Sequence, residues 1–307
     1  MAASGGTKAV LAALIGNSAI AVAKFAGFII TGASSMLAES IHSVADAGNQ
    51  ALLLWGGKAA AREADDEHQF GYGRERYFWA FVVALVLFLL GSGFALFEGV
   101  EKILHPHEVE SVGVAVGILL FAIVAEGFTF RTAVKEAKPI KGDMGWWEFI
   151  RRTRSPELPV VLLEDLGAMI GLALALVALL TAQVTDDPVW DGIGTLSIGI
   201  LLFAIAVTLI VEMRSLLIGE GAKPDEMKQI RQAIVAAPHV EKLIHLRTQH
   251  LGPDELLVGC KIEFNRGLSV AELAKAVDGV EAAVRAVVPH ARPMYVEADL
   301  HREVEAQ

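Results

Sequence analysis

The 307-residue chain holds a single cysteine, Cys260, and only 20% of its residues are charged. One thiol excludes an internal disulfide framework and a cysteine-built zinc cage, and it leaves the redox compartment unread. Its plain reading is a small apolar residue in a core. Basic residues are also scarce, 26 Lys and Arg standing against 36 Asp and Glu for a formal net charge of -10. A nucleic-acid partner is thereby excluded, because a phosphate-binding face needs a clustered basic surplus. The chain has no P-loop, no HExxH pattern and no nucleophile beside a base, so nothing in it points to an enzyme. A cleaved leader is not expected at its start, since Met1 to Thr7 is small and polar and the apolar run that follows is long enough to be read as a first membrane span.

What is abundant is apolar side chain. Hydrophobic residues make up 54% of the chain and its mean hydropathy is +0.49, more than a soluble domain of this size requires. A bilayer core of about 30 Å takes about 20 apolar residues in a helix. Stretches of that kind run from Val10 to Ile30, Met36 to Ala59, Phe78 to Phe97, Val112 to Phe130, Leu158 to Ala182 and Ile193 to Leu217, which predicts a six-helix transmembrane bundle over residues 1–218 in contact with lipid. The second is the least apolar, holding Glu39, His42, Asp46, Asn49 and Gln50, but the turn residues Thr31 to Ser34 suit a hairpin with the first. Lys58, Arg62, Arg74 and Arg76 lie between the second and third stretches, and Arg131 to Arg154 carries the other basic cluster. The alternate connections hold Glu98, Glu101, Glu108 and Glu110, or Asp186 and Asp187. Basic loops stay on the cytoplasmic side, so both termini are expected in the cytosol, with a bacterial inner (plasma) membrane as the location. Trp146, Trp147 and Trp190 sit where an interfacial aromatic belt belongs, and Gly91-Ser92-Gly93 is expected to allow close helix contact.

After Leu217 the composition changes. Residues 219–224 read as a linker, 225–300 as a small cytosolic αββαβ domain of ferredoxin-like α+β type, and 301–307 as a tail. Pro224 starts a helix through Ala236; Val240 to His250 and Leu256 to Phe264 alternate like paired strands around Gly252-Pro253-Asp254; Ser269 caps a second helix with Glu272 at its third position; Pro293 to Ala298 supplies a last strand.

An ionisable group inside hydrocarbon costs roughly 2.5 to 3.5 kcal/mol on insertion scales and is a functional candidate by default. His42 and Asp46 are spaced i, i+4 on the second stretch, so both leave one helix face and can grip one ion, with Glu39 and Asn49 extending the stripe. Glu164 and Asp165 sit side by side in an otherwise apolar fifth stretch. The bland alternatives are an internal hydrogen-bonded pair and a carboxyl kept neutral by desolvation. Carboxylates on one span and a His/Asp pair on another favour a cation site, and mixed nitrogen and oxygen donors suit Zn²⁺ better than the all-oxygen shells of Mg²⁺ or Ca²⁺. Asn17 and Glu126 are further polar residues on spans, with Glu126 expected to face the same cavity.

Ala38-Glu39-Ser40-Ile41-His42-Ser43-Val44-Ala45-Asp46, then Asp65-Asp66-Glu67-His68-Gln69-Phe70-Gly71-Tyr72-Gly73-Arg74, Asp165, Leu217-Ile218-Gly219-Glu220-Gly221 and His245-Leu246-Arg247-Thr248 follow one another along nearly the whole chain. In this the sequence resembles the cation diffusion facilitator family of zinc transporters, and within it the branch that includes the mitochondrial zinc transporter of animals, through the adjacent Glu164 and Asp165. The resemblance implies a homodimer that exchanges cytoplasmic Zn²⁺ for protons by alternating access. It implies a transport site of His42, Asp46 and Asp165, with Val161 standing where many members have a fourth ligand, His, and Glu164 as its substitute ahead of Met169. A loop site of Asp65 and His68 is implied in part, since Tyr72 replaces another His. So is a cytosolic-domain site drawn from His245, His250, Glu297 and Asp299, with Ile244 in one ligand place. Carboxylate in place of the missing His moves the donor set toward oxygen and toward Mn²⁺ or Fe²⁺, with Co²⁺ and Cd²⁺ as further cargo. The rival reading is a membrane-anchored metal sensor or scaffold that moves nothing.

Overall fold

The computed structural model describes residues 4–31, 34–106 and 112–300, apart from the side chains of 4, 5, 24, 27, 28, 30, 31, 34–39, 41 and 42. The chain divides into two compact units, Met1–Arg62 with Glu75–Arg214, and Glu63–Arg74 with Ser215–Gln307.

The first unit is helical. It contains α1 (Ser4–Thr31), α2 (Ser34–Ala60), α3 (Glu75–Val86), α4 (Gly93–Leu104), α5 (Val112–Lys141), the short α6 (Trp146–Arg152), α7 (Glu157–Thr185) and most of α8 (Val189–Ile218). A π-helical turn, Leu87–Ser92, joins α3 to α4, so Glu75–Leu104 is one rod longer than the Phe78 to Phe97 expected. Among the described residues five segments are long and apolar enough to cross a membrane: Gly6–Ala23, Glu75–Leu104, Val112–Lys141, Glu157–Thr185 and Val189–Ile218. The 27-residue α2 carries too many polar side chains to join them on composition. Where a basic loop was expected, α5 runs on to Lys141 and α6 follows.

Packing explains which faces are apolar. On α1 the buried positions Ala9, Val10, Ala13, Asn17, Ile20 and Ala21 recur every three to four residues, while Ile15, Val22 and Ile29 are more than 60% exposed. This is an inward stripe of small residues and an outward hydrocarbon surface, as lipid requires. Helix α1 packs on α2, α5 and α7. The run from Glu157 to Asp165 on α7 is buried on every side, which makes its start the centre of the unit. Gly91 and Gly93 do not supply the expected close contact: a β-carbon on Gly91 would reach only Leu202 at 3.9 Å, and Ser92 Oγ donates to the Phe88 carbonyl (2.8 Å) within the π turn. A tight approach between α4 and α8 is made instead at Gly99, where a β-carbon would lie 2.5 Å from the Leu196 backbone nitrogen.

The second unit contains α9 (Pro224–Val235), β1 (Val240–Gly252), β2 (Glu255–Phe264), α10 (Val270–Val287) and β3 (Met294–Ala298). It is a small α+β domain whose three-stranded sheet has the order β1-β2-β3, antiparallel then parallel. Strict alternation on β2 sends Leu256, Val258, Cys260, Ile262 and Phe264 into one core, against Ile230 and Ile234 of α9 and Ala276, Val280 and Val284 of α10. Cys260 is thus a core residue. Ser269 and Glu272 form the expected capping box on α10. The loop Glu63–Arg74 belongs to this unit; Gly73 and Gly252 meet back to back, with a β-carbon on Gly73 falling 2.8 Å from the Leu251 carbonyl oxygen. That contact is the physical use of a glycine after Tyr72 in the loop.

Candidate functional site

Four carboxylates converge in the helical unit. Asp46 comes from α2, Glu126 from α5, and Glu164 and Asp165 from the buried start of α7. Glu164 feels the charge of Asp46, Asp165 and Glu126, and Asp165 feels that of Glu126 and Asp46. Glu164 and Asp165 are 9% and 2% exposed, and Asp46 is half-buried.

The two neighbours on α7 are held differently. Glu164 is gripped by α2: Asn49 Nδ2 donates to its Oε1 (3.0 Å) and Gln50 Nε2 to its Oε2 (2.7 Å). Two NH₂ groups facing two oxygens is the pattern that an ionised carboxyl accepts. Behind them Asn17 Nδ2 of α1 donates to Gln50 Oε1 (3.4 Å), so a chain of amides links α1 and α2 to the Glu164 carboxylate on α7. Asp165 Oδ2, by contrast, is buried with no hydrogen-bond partner among the described residues. The Thr129 hydroxyl of α5 interacts with Asp165 and donates to the Glu126 carbonyl oxygen (2.8 Å). Ser40 Oγ donates to the Ala21 carbonyl (3.0 Å), tying α2 to α1 nearly two helical turns before Asp46. Buried carboxylates this close repel one another unless a cation or protons join them.

The side chains of Glu39 and His42 lie outside the described residues. Val161 is fully buried apolar packing, and Asn17, Asn49 and Gln50 enter as the groups that hold Glu164. Gln50 drew no role from sequence, because a neutral amide in a polar stripe signals nothing about which partner it meets.

In the second unit the predicted ligands separate. Asp65 Oδ1 accepts the backbone N–H groups of Glu67 (3.1 Å) and His68 (2.7 Å), and Oδ2 accepts the Tyr72 hydroxyl (2.6 Å). The Tyr72 hydrogen bond, with those backbone donors, holds the Asp65 carboxyl below its usual range. His68 stacks obliquely on Tyr72 at 4.4 Å, and its Nδ1 is 3.8 Å from Asp65 Oδ1. The Tyr72 hydroxyl and the two backbone N–H groups thus make Asp65 the organiser of the loop.

On the sheet, His245, Lys261 and Glu297 occupy one cross-strand row. The Lys261 ammonium sits 2.8 Å from Glu297 and 3.0 Å from Asp299, and those two bonds raise its pKa. The Lys261 ammonium thus bridges these two carboxylates. His250 is five residues along β1, buried, and paired instead with His290, ring centroids 6.0 Å apart. His290 was missed because it lies in an irregular segment with no spacing to mark it.

Comparison with known proteins agrees with this architecture. The family described as "Cation efflux transmembrane domain" matches residues 10–218, and "Cation efflux protein, cytoplasmic domain" matches residues 222–299. The chain is similar to proteins named proton-coupled zinc antiporter SLC30A9, mitochondrial, from Xenopus laevis (30% identity over 260 residues) and Homo sapiens (30% over 261), covering 84% of this chain and 46% of each relative. It is also 29% identical over 270 residues to metal tolerance protein C4 of Arabidopsis thaliana, covering 87% of this chain and 59% of that one. The chain spans about half the length of the animal relatives it matches. With the membrane-domain match covering more than half of its residues, this chain belongs to the cation diffusion facilitator family of multi-pass membrane metal-cation transporters.

Proposed function

We propose that the chain exports Zn²⁺ from the cytoplasm in exchange for protons, as a homodimer of six-span protomers in a bacterial inner membrane. The observation that carries this reading is the convergence of half-buried Asp46 and Glu126 on buried Glu164 and Asp165 within the helical unit. Taking α2 as the sixth span is supported by its polar groups being answered by other helices, Ser40 by α1 and both Asn49 and Gln50 by α7. Asp165, with one oxygen unpartnered among the described residues, and Asp46 across from it are the ligands we assign first, with His42 one helical turn before Asp46. Glu164 joins the set by giving up one amide bond to the ion.

In the inward-facing state the ligands bind Zn²⁺ with His42 neutral and the carboxylates ionised, so loading releases protons. Rocking of the helices exposes the ion to the opposite side, where protons displace it and the protonated carrier returns. Flux into proteoliposomes tests this with the parent, Asp46→Ala and Glu164→Ala. Transport by the parent, lost in Asp46→Ala and dependent on a pH gradient, is the expected result. Zinc binding without flux of any divalent ion would replace transport by the sensor reading.

A second cargo reading rests on the donor set. The described groups of the cluster are all carboxylates, and oxygen donors favour Mn²⁺ or Fe²⁺ over Zn²⁺. Competition among Zn²⁺, Mn²⁺, Fe²⁺, Co²⁺ and Cd²⁺ for the same flux ranks them.

A further inference from the structure

The second unit contains a donor set that its sheet-row residues do not share. Glu226 in the first turn of α9, His250 near the end of β1 and His290 in the segment before β3 each offer one ligand atom, and these atoms all lie within 4.8 Å of one another. They come from three separate elements, and the backbone fixes each. The His250 N–H donates to the Glu220 carbonyl (2.8 Å), and the Leu256 N–H donates to the His290 carbonyl (2.9 Å). Glu226 spends Oε2 on the N–H of Lys223 (3.0 Å), which leaves Oε1 facing His290 Nε2 at 3.6 Å.

That separation is long for a hydrogen bond. It is close to the roughly 3.4 Å between two ligands that each stand about 2.1 Å from a tetrahedral ion. The two imidazole rings are inclined by only 16°. His250 is 2% exposed, while the side chains of His290 and Glu226 are 31% and 23% exposed, so the cluster has a buried floor and an open side. Two imidazoles and one carboxylate with a free position form a set suited to Zn²⁺ and its borderline neighbours rather than to Ca²⁺ or Mg²⁺.

We infer that Glu226, His250 and His290 hold a first-row divalent cation with a water in the remaining position. The ion ties the start of α9 and the end of β1 to the segment between α10 and β3. It also fastens the linker, because Glu220 is bonded to His250 and the Ala222 N–H donates to Thr248 Oγ1 (2.9 Å) on the same strand. Cytoplasmic cation occupancy would then be read as stiffening of residues 219–223.

The test uses the full chain in detergent with Asp46→Ala and Asp165→Ala, so that the binding measured is independent of the transport reading. Titration with Co²⁺, read by visible absorption, is expected to saturate at one ion per protomer in the coordination band of a four- or five-coordinate site, and Zn²⁺ displaces it. Adding Glu226→Gln, which keeps the helix cap, or His290→Ala, at a partly exposed position, is expected to weaken binding by more than the roughly 10–100-fold that loss of an outer-shell partner costs. Amide exchange at His250 and Ala222 slows on loading in the background chain and not in these variants. A titration with no saturable Co²⁺ band, or one unchanged by both substitutions, overturns the assignment. Loss of flux in the parent with this binding intact would count against the transport reading alone.

Discussion

Replacing Gln50 by leucine tests the amide relay most directly. Gln50 is fully buried, so leucine of similar length keeps the packing while removing one donor and one acceptor. The 2.7 Å bond to Glu164 Oε2 ends on a carboxylate, and hydrogen bonds to charged groups contribute about 1.5–3 kcal/mol. The 3.4 Å contact from Asn17 is neutral and long, and side-chain bonds between membrane helices average about 0.6 kcal/mol. The expected loss is therefore roughly 2–3 kcal/mol, well above what a neutral bond alone would give. The assay is reversible unfolding in mixed micelles, run as a double-mutant cycle with Glu164→Leu. Most of the Gln50→Leu penalty should vanish in the Glu164→Leu background. A loss near 0.6 kcal/mol that is the same in both backgrounds would show that only the neutral contact is broken, and would refute the picture of Gln50 as a holder of Glu164.

Arg76 at the start of α3 pairs with Glu157 at the start of α7, with side chains only 12% and 7% exposed. Arg76→Leu should cost about 3–5 kcal/mol by stranding a buried carboxylate, and the added Glu157→Leu should recover most of it, as read by micellar unfolding. Gly99→Ala forces a β-carbon against the backbone of α8 and should destabilise by about 1–3 kcal/mol. Gly113→Ala, with open space around it, should be neutral or slightly stabilising in the same assay. Burial, then the Glu281 charge, pushes the Cys260 thiol up from 9.0 to about 11. Its folded value lies above the unfolded one, so the stability that depends on the neutral thiol is present below pH 9 and drains away toward pH 11. Denaturation midpoints of the parent should fall across that window more steeply than those of Cys260→Ala, and thiol reagents should leave the native protein unmodified at pH 8.

Much of the architecture is local and could be read directly. Helices long enough to span a bilayer announce themselves by composition, and the alternation from Leu256 to Phe264 marks a strand with one buried face. The capping box at Ser269 is legible for the same reason, since its groups are three residues apart. The π turn at Leu87–Ser92 was not, because nothing in the hydropathy of an apolar run distinguishes one helical hydrogen-bond register from another.

The site divides along the same line. The sequence by itself determined that carboxylates stand in an apolar helix at Glu164 and Asp165 and in a long polar-striped one at Asp46, because the cost of burying charge is a property of each residue and its immediate neighbours. Only the tertiary structure decided what each one meets: Glu164 closed by two amides 114 and 115 residues away, Asp165 left with one oxygen unpartnered among the described residues, Glu297 and Asp299 bridged by Lys261, and His250 drawn to Glu226 and His290. Spacing along a helix or strand sets the face from which a side chain leaves. Its partner is set by the angle and register at which another element arrives, and those depend on packing summed over the whole core.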